Sequence, residues 1–356
     1  MDNLERQQKQ KKFDEVKHTL RKFEGLLEIG ILTVVYYLFW RNCYDIPDMP
    51  TFYYKGIKSL SFIELLSRLR FFQSAKLIYP LSFESGYTIL NWLISHLGFS
   101  FHGFLVIYAA FCILSISNFI IQNSSDIYLS FSLFVVLGMY TYSFYILRQT
   151  LALCILLFAF SALKEEKNKK FWIILLLAFT VHRVSIIYAI LFMIRNIKMN
   201  RKIFKKFSFV IVCVFIILPL LSSLVLSVLQ FFGKTQIEIK QISLNNLFFL
   251  MILLIIFIYF FADFSVLFER KENNLLVFGF LFSIVLETFG LYNDVLARSV
   301  ELLYICIIVL LPNILQELPN KKFKTIIKIL IYMSCSVFYI MQLKKSYIVP
   351  YESIFS

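Results

Sequence analysis

The chain has 356 residues, 59% of them hydrophobic and only 16% charged, with 41 Phe and 20 Tyr. A soluble domain carries about a quarter charged residues, so this composition excludes an ordinary water-soluble globule and makes lipid the solvent. The net charge of +14 does not signal nucleic acid. The basic residues cluster in short segments between apolar runs, where they act as orientation signals facing anionic headgroups.

Residues 1–25 are highly charged and lack the apolar core of a secretory signal. Phe13, Val16, Leu20, Phe23 and Leu27 recur at helical spacing among Lys and Glu, the pattern of an amphipathic helix on the cytoplasmic face. Apolar runs then fall at 26–40, 101–121, 127–144, 146–163, 171–194, 207–230, 246–263, 274–292, 296–316 and 323–343. An aromatic-rich polar insert over 41–100 follows the first run, and a tail over 344–356 follows the last. The runs are too continuous in hydrophobicity for barrel strands. The expectation is one all-α polytopic domain over 26–343 with about 10–11 transmembrane helices. The six cysteines show no CxxC or Cys/His spacing, so neither a disulfide nor a metal site is expected, and no cofactor.

Orientation follows from Lys and Arg. The N-terminal segment, Lys164–Lys170, Arg195–Lys206, Arg270–Lys271 and Lys321–Lys328 are the basic patches, all expected in the cytoplasm. Both flanks of the run 171–194 are basic, yet a single span would separate them. The spacing therefore predicts a helical hairpin over 168–200 turning near His182, with arms of roughly 15 to 18 residues, about 22 to 27 Å. Eleven crossings result, with the N-terminus inside and the C-terminal tail outside.

That topology gathers the isolated polar residues at the outer face. Arg41 ends the first run, Asp48 and Glu84 lie in the insert, Arg148 begins the fourth run, and His182 sits at the hairpin turn. Arg298 begins a later run, after Asn293-Asp294 and near Glu301, and Glu287 is a candidate counter-ion for one of the arginines. Charges at membrane depth usually face an internal cavity and mark function. Arg41 also reads as a snorkelling anchor and Glu84 as a solvated loop carboxylate. Guanidinium groups are planar, permanently charged donors suited to phosphate oxygens, so these arginines suit a lipid-linked pyrophosphate whose departure they stabilise without a metal. A base for an attacking hydroxyl is either His182 or Glu84. No HExxH, GxSxG, GKS/T or DxD pattern occurs, against common hydrolase and nucleotide-sugar chemistries.

Four stretches resemble the EpsG family, within the wider Wzy-type repeat-unit polymerases. They are RNCYDIPDMPTFYYKGI (41–57), with Arg41, Asp48 and Phe52; SFESGYTILNWLISHLG (82–98), with Glu84, Gly86, Tyr87 and Asn91; the stretch 145–188, with Arg148, Gln149, Ala152, His182 and Ser185; and the late Arg298 with an Ile-Val-Pro-Tyr ending at 348–351. The chain departs from the pattern in its charged N-terminus and in Arg183, where a small residue is more usual. The resemblance implies polymerisation of undecaprenyl-pyrophosphate-linked oligosaccharide repeat units, for capsule or exopolysaccharide, on the outer leaflet of a bacterial cytoplasmic membrane. In that reading Arg148, Arg298 and Arg41 hold the pyrophosphate, and His182 is the base with Glu84 as its rival or an acceptor-sugar ligand. Tyr87, Asn91 and Trp92, with Asp48 and Gln149, contact sugar. The partners implied are the lipid-linked oligosaccharide, membrane lipids and other polysaccharide assembly and export proteins. A flippase of the same glycolipid, and a ligase or acyltransferase acting on a surface glycan, are the alternative readings.

Overall fold

Backbone groups facing hydrocarbon have no water to bond, so apolar runs close their hydrogen bonds within helices. The computed structural model describes residues 25, 27, 31, 51–69, 75–78, 81–144, 146–217, 246–291 and 299–343. Every expected apolar run with a continuous described stretch is helical, which bears out the all-α membrane class. Arg41, Asp48, Arg298 and the tail 344–356 lie outside the described residues.

The insert contributes α1 (Thr51–Lys58), α2 (Phe62–Arg68), a short antiparallel hairpin β1 (Ala75–Ile78) and β2 (Leu81–Phe83), and α3 (Ser85–His96). The hairpin is an addition to the expected all-helical set. Helix α2 is opened by a capping box: Ser61 accepts from the Glu64 amide while the Glu64 carboxylate accepts from the Ser61 amide. The insert is tied down at two aromatic points. The Tyr54 hydroxyl donates to the Phe99 carbonyl at 3.1 Å, and the Trp92 indole N–H donates to the Leu60 carbonyl at 2.9 Å.

The membrane part follows as α4 (Phe101–Asn123), α5 (Ile127–Val136), α6 (Met139–Tyr142), α7 (Leu147–Lys164), α8 (Asn168–Val181), a 3-10 segment (Arg183–Tyr188) and α9 (Ala189–Ile194). After these come α10 (Arg201–Ile217), α11 (Asn246–Phe261), α12 (Lys271–Gly290), α13 (Glu301–Tyr304), α14 (Ile307–Gln316) and α15 (Lys321–Leu343). Four of them are long and apolar enough to cross a membrane: α4, α7, α12 and α15. Two runs expected as single spans are broken. The run 127–144 parts at Gly138, whose φ of +82° is a left-handed conformation that glycine adopts without a Cβ penalty. The run 296–316 tightens between α13 and α14, where the Cys306 and Ile308 amides bond three residues back rather than four. Close approach there uses Gly279, whose added Cβ would stand 2.6 Å from Cys306 Sγ.

The expected hairpin is present. Helix α8 stops at His182, and the chain reverses so that Phe192 stacks on Phe171 at 5.4 Å and meets Trp172 at 4.9 Å between ring centroids. Helix α8 has 14 residues, about 21 Å at 1.5 Å per residue. The return arm of 3-10 segment plus α9 is of similar length. Each arm is therefore shorter than the roughly 30 Å of a hydrocarbon core.

The described basic loops converge at one end of the bundle. Lys164 donates to Asn123 Oδ1 at 3.0 Å, Lys271 pairs with Glu166 at 2.7 Å, and Lys328 pairs with Asp126. Between them lies a buried amide network: Asn313 Nδ2 donates to the Asn123 carbonyl at 3.0 Å and to Asn273 Oδ1 at 2.8 Å, and Asn313 Oδ1 accepts from the Ser125 amide at 2.7 Å. Helical Gly25 belongs to this end too, against the Ile121 side chain.

Asn313→Ala strands three polar partners in the interior, at roughly 1–3 kcal/mol per buried unsatisfied group. The expected outcome is a clearly lower unfolding midpoint in detergent, by circular dichroism, than that of the exposed control Asn196→Ala.

Candidate functional site

Three helix termini meet at the end opposite the basic loops. Helix α3 begins after Glu84, whose extended backbone (φ −64°, ψ 145°) makes it the N-cap residue. Its carbonyl accepts from the Thr88 amide and hydroxyl, both at 3.0 Å. Its carboxylate does not cap the helix; it reaches across to two other elements. Helix α7 begins at Leu147, which puts Arg148 in its first turn. A cation there opposes the helix dipole, so an adjacent carboxylate is doubly favoured. Helix α8 ends at His182, extended at φ −151° and ψ 114°. Ser185 secures that turn: its amide donates to the His182 carbonyl at 3.0 Å and its hydroxyl to the Ala178 carbonyl at 3.3 Å.

Glu84 joins the other two. Its Oε2 accepts from Arg148 Nη1 at 2.8 Å, and its Oε1 lies 3.2 Å from His182 Nδ1. The three side chains are 10%, 20% and 17% exposed for Glu84, Arg148 and His182, so the cluster is mostly sheltered yet reachable. The Arg148 guanidinium also lies over the Phe83 ring, 4.5 Å from its centroid, a cation–π contact that fixes its plane. Burial pushes the Glu84 carboxyl up, but the His182 hydrogen bond and the charges of Arg148 and His182 outweigh it and hold the group at about 2. Glu84 is thus an anion at any working pH, and a poor proton acceptor.

Helix α3 reaches α8 because of Gly86. A Cβ there would stand 2.8 Å from the carbonyl carbon of Thr180, a distance the backbone of α8 cannot concede without moving. Glycine at 86 is what lets Glu84 reach an imidazole two residues beyond Thr180.

The remaining candidates occupy different surroundings. Tyr87 and Asn91 are fully buried; Tyr87 packs edge-on to Phe83, and Asn91 Nδ2 donates to the Tyr87 carbonyl at 2.8 Å. Trp92 is half-buried, stacked on His96 at 4.1 Å with its N–H committed to Leu60. These three positions build the insert and its contact with the bundle. Gln149 is buried, its Nε2 3.5 Å from Glu301 Oε2, and Glu287 is buried within α12. Sequence reasoning did not foresee that Glu84 would pair with both Arg148 and His182, nor the Phe83 ring beneath Arg148. Gly86 within the Glu-x-Gly-Tyr segment was the available sign of a close approach.

Residues 26–353 match the EpsG family. The chain belongs to that family. EpsG is a Wzy-type polymerase family, and membership gives the chain a polysaccharide polymerase-type role in general, of a glycosyltransferase-like kind. The match takes in the insert, the hairpin and all fifteen helices among the described residues, starting where the charged N-terminal segment ends. No curated protein and no solved structure matches the chain.

Two outcomes follow for this EpsG chain. Gly86→Ala overpacks the α3–α8 contact, at about 1–3 kcal/mol, so the unfolding midpoint falls and His182 is drawn away from Glu84. The second concerns pH. Because the folded carboxyl sits at about 2 against an ordinary 4.5, its stabilising effect is complete above about 4.5 and is lost as pH falls towards 2. The gap between wild-type and Glu84→Gln midpoints should stay constant above pH 4.5 and close below it; a gap independent of pH would contradict the ion-pair geometry.

Proposed function

We propose that this EpsG chain polymerises undecaprenyl-pyrophosphate-linked oligosaccharide repeat units into capsular or exopolysaccharide on the outer leaflet of the bacterial cytoplasmic membrane. The observation that carries the reading is the Glu84 carboxylate held between Arg148 and His182, at the bundle end remote from the basic loops. By the rule that basic loops face the cytoplasm, that end faces outwards.

Each member has a role in glycosyl transfer. A hydroxyl at the non-reducing end of the acceptor unit attacks the anomeric carbon of the donor. A carbon–oxygen bond to the acceptor forms, the bond to pyrophosphate breaks, and the growing chain leaves its lipid carrier. His182 takes the hydroxyl proton. With Nδ1 held by Glu84, its Nε2 is the nitrogen left to act as base, the arrangement in which a carboxylate orients an imidazole. Glu84 is therefore a positioning residue, its own basicity lowered by the His182 hydrogen bond and the Arg148 charge. Arg148 supplies a fixed positive charge where undecaprenyl pyrophosphate departs, the role also proposed for Arg298 and Arg41 from the sequence, so no metal is called for. The lipid tail arrives sideways through the bilayer, alongside the apolar outer surfaces of α8 and the hairpin's return arm.

The test is polymer length and the lipid-linked pool in cells carrying single substitutions. His182→Ala should lower polymerisation by about 10²-fold or more, the usual worth of a positioned base, with single lipid-linked repeats accumulating on the outer leaflet. Glu84→Gln should give a smaller loss and Arg148→Ala a comparable one. Full-length polymer from His182→Ala would remove the base assignment, and repeats accumulating on the inner leaflet would make the chain a flippase.

A further inference from the structure

The hairpin turn carries a second cation that the chemistry above leaves unused. Arg183 follows His182 and opens the 3-10 segment. Its Nε and Nη2 are shielded from the surface, and among the described residues no group accepts a hydrogen bond from either. Those two nitrogens form one edge of the guanidinium, whose parallel N–H bonds match two oxygens of a single carboxylate or phosphate.

Such an edge is costly to leave unmatched, since buried charged donors keep their full desolvation penalty until an acceptor arrives. Several other cations do meet an acceptor: Arg148 meets Glu84, Arg195 the Phe192 carbonyl, Lys164 Asn123, Lys271 Glu166 and Lys328 Asp126. Glu84, the carboxylate that meets His182, has one oxygen on Arg148 and the other on His182. The backbone at the turn is pinned by the His182–Ser185 and Ala178–Ser185 hydrogen bonds, so Arg183 projects from a fixed point.

We infer that Arg183 is a substrate-anion ligand, gripping two oxygens of one oxyanion through its Nε–Nη2 edge. The inference rests on the polymerase reading above and extends it to a residue outside the assigned set. Two groups on the substrate offer this chemistry: a phosphate of the carrier pyrophosphate, and the carboxylate of an acidic sugar in the repeat unit. Both share one negative charge over a pair of oxygens at the spacing of a guanidinium edge.

The experiment uses the full chain in lipid nanodiscs, wild type beside Arg183→Gln and Arg183→Lys, with undecaprenyl pyrophosphate and glucuronate as probes. Thermal unfolding without a probe comes first: an anion ligand with no protein partner can be neutralised without loss, so Arg183→Gln should unfold no earlier than wild type. A markedly lower midpoint would mean that Arg183 serves the fold, and the inference would fall. Binding comes second. Arg183→Gln should weaken one probe by about tenfold or more, and Arg183→Lys should not restore it, because an ammonium lacks the paired donors. Weakened undecaprenyl pyrophosphate assigns the carrier phosphate; weakened glucuronate alone assigns an acidic sugar. Equal binding of both probes by wild type and Arg183→Gln overturns the inference while leaving the polymerase reading intact. Wild type that binds neither probe removes both.

Discussion

A carboxylate sheltered from water at the edge of a membrane domain survives as an anion only if donors meet it, and Glu84 meets two, the Arg148 guanidinium and the His182 imidazole. Everything distinctive about this end of the bundle follows from bringing them together. Arg148 stands 64 residues away and His182 98 residues away in sequence, so three helix termini must converge within hydrogen-bonding reach. The bundle achieves this by stopping α8 early, starting α7 at the arginine, and leaving α3 without a side chain where it crosses Thr180. The aromatic-rich insert is therefore a built layer, held together by Tyr54 and Trp92, that delivers one carboxylate to the cluster.

How much of this the amino-acid sequence discloses depends on the kind of signal. Lysines on both flanks of 171–194 disclosed the hairpin, because charge asymmetry constrains topology even where hydrophobicity is uniform. The break at Gly138 was hidden for the complementary reason: a lone glycine in an apolar run is usually tolerated within a helix. The tightening near Cys306 has no residue-level marker at all, and the strands at 75–83 are too short for alternation to register. At the site, Arg148 and His182 stood out as isolated polar groups in apolar surroundings. Glu84 was legible as one of two candidate bases, but a loop carboxylate is ordinarily solvated, and only three-dimensional proximity turns it into the centre of the cluster. Tyr87 and Asn91 lie in the interior, where a sugar contact and a packing residue look alike in the sequence.

The two ends of the bundle solve opposite problems. At the basic end, Asn123, Asn273 and Asn313 satisfy one another in the interior, while Lys164, Lys271 and Lys328 find acceptors near the surface. That end is closed and hydrogen-bonded within itself. At the other end, polar capacity is concentrated in a few charged side chains with partial exposure, and Arg183 retains donors without acceptors. Rigidity at one end and unspent hydrogen-bonding capacity at the other are what a protein needs to hold still while it handles a charged amphiphile.

The shortness of the hairpin also reaches into the bilayer itself. Its apolar outer face is well exposed, with Ile173, Leu176, Leu177, Ile186 and Met193 all more than half accessible, yet it stands only about 21 Å tall. Lipids in contact with that face meet a hydrophobic mismatch of roughly 9 Å against a typical hydrocarbon thickness of about 30 Å. The leaflet next to the turn thins to match it. Headgroups there sink towards His182, so an amphiphile diffusing in that leaflet is lowered to the depth of the charge cluster by the shape of the membrane alone.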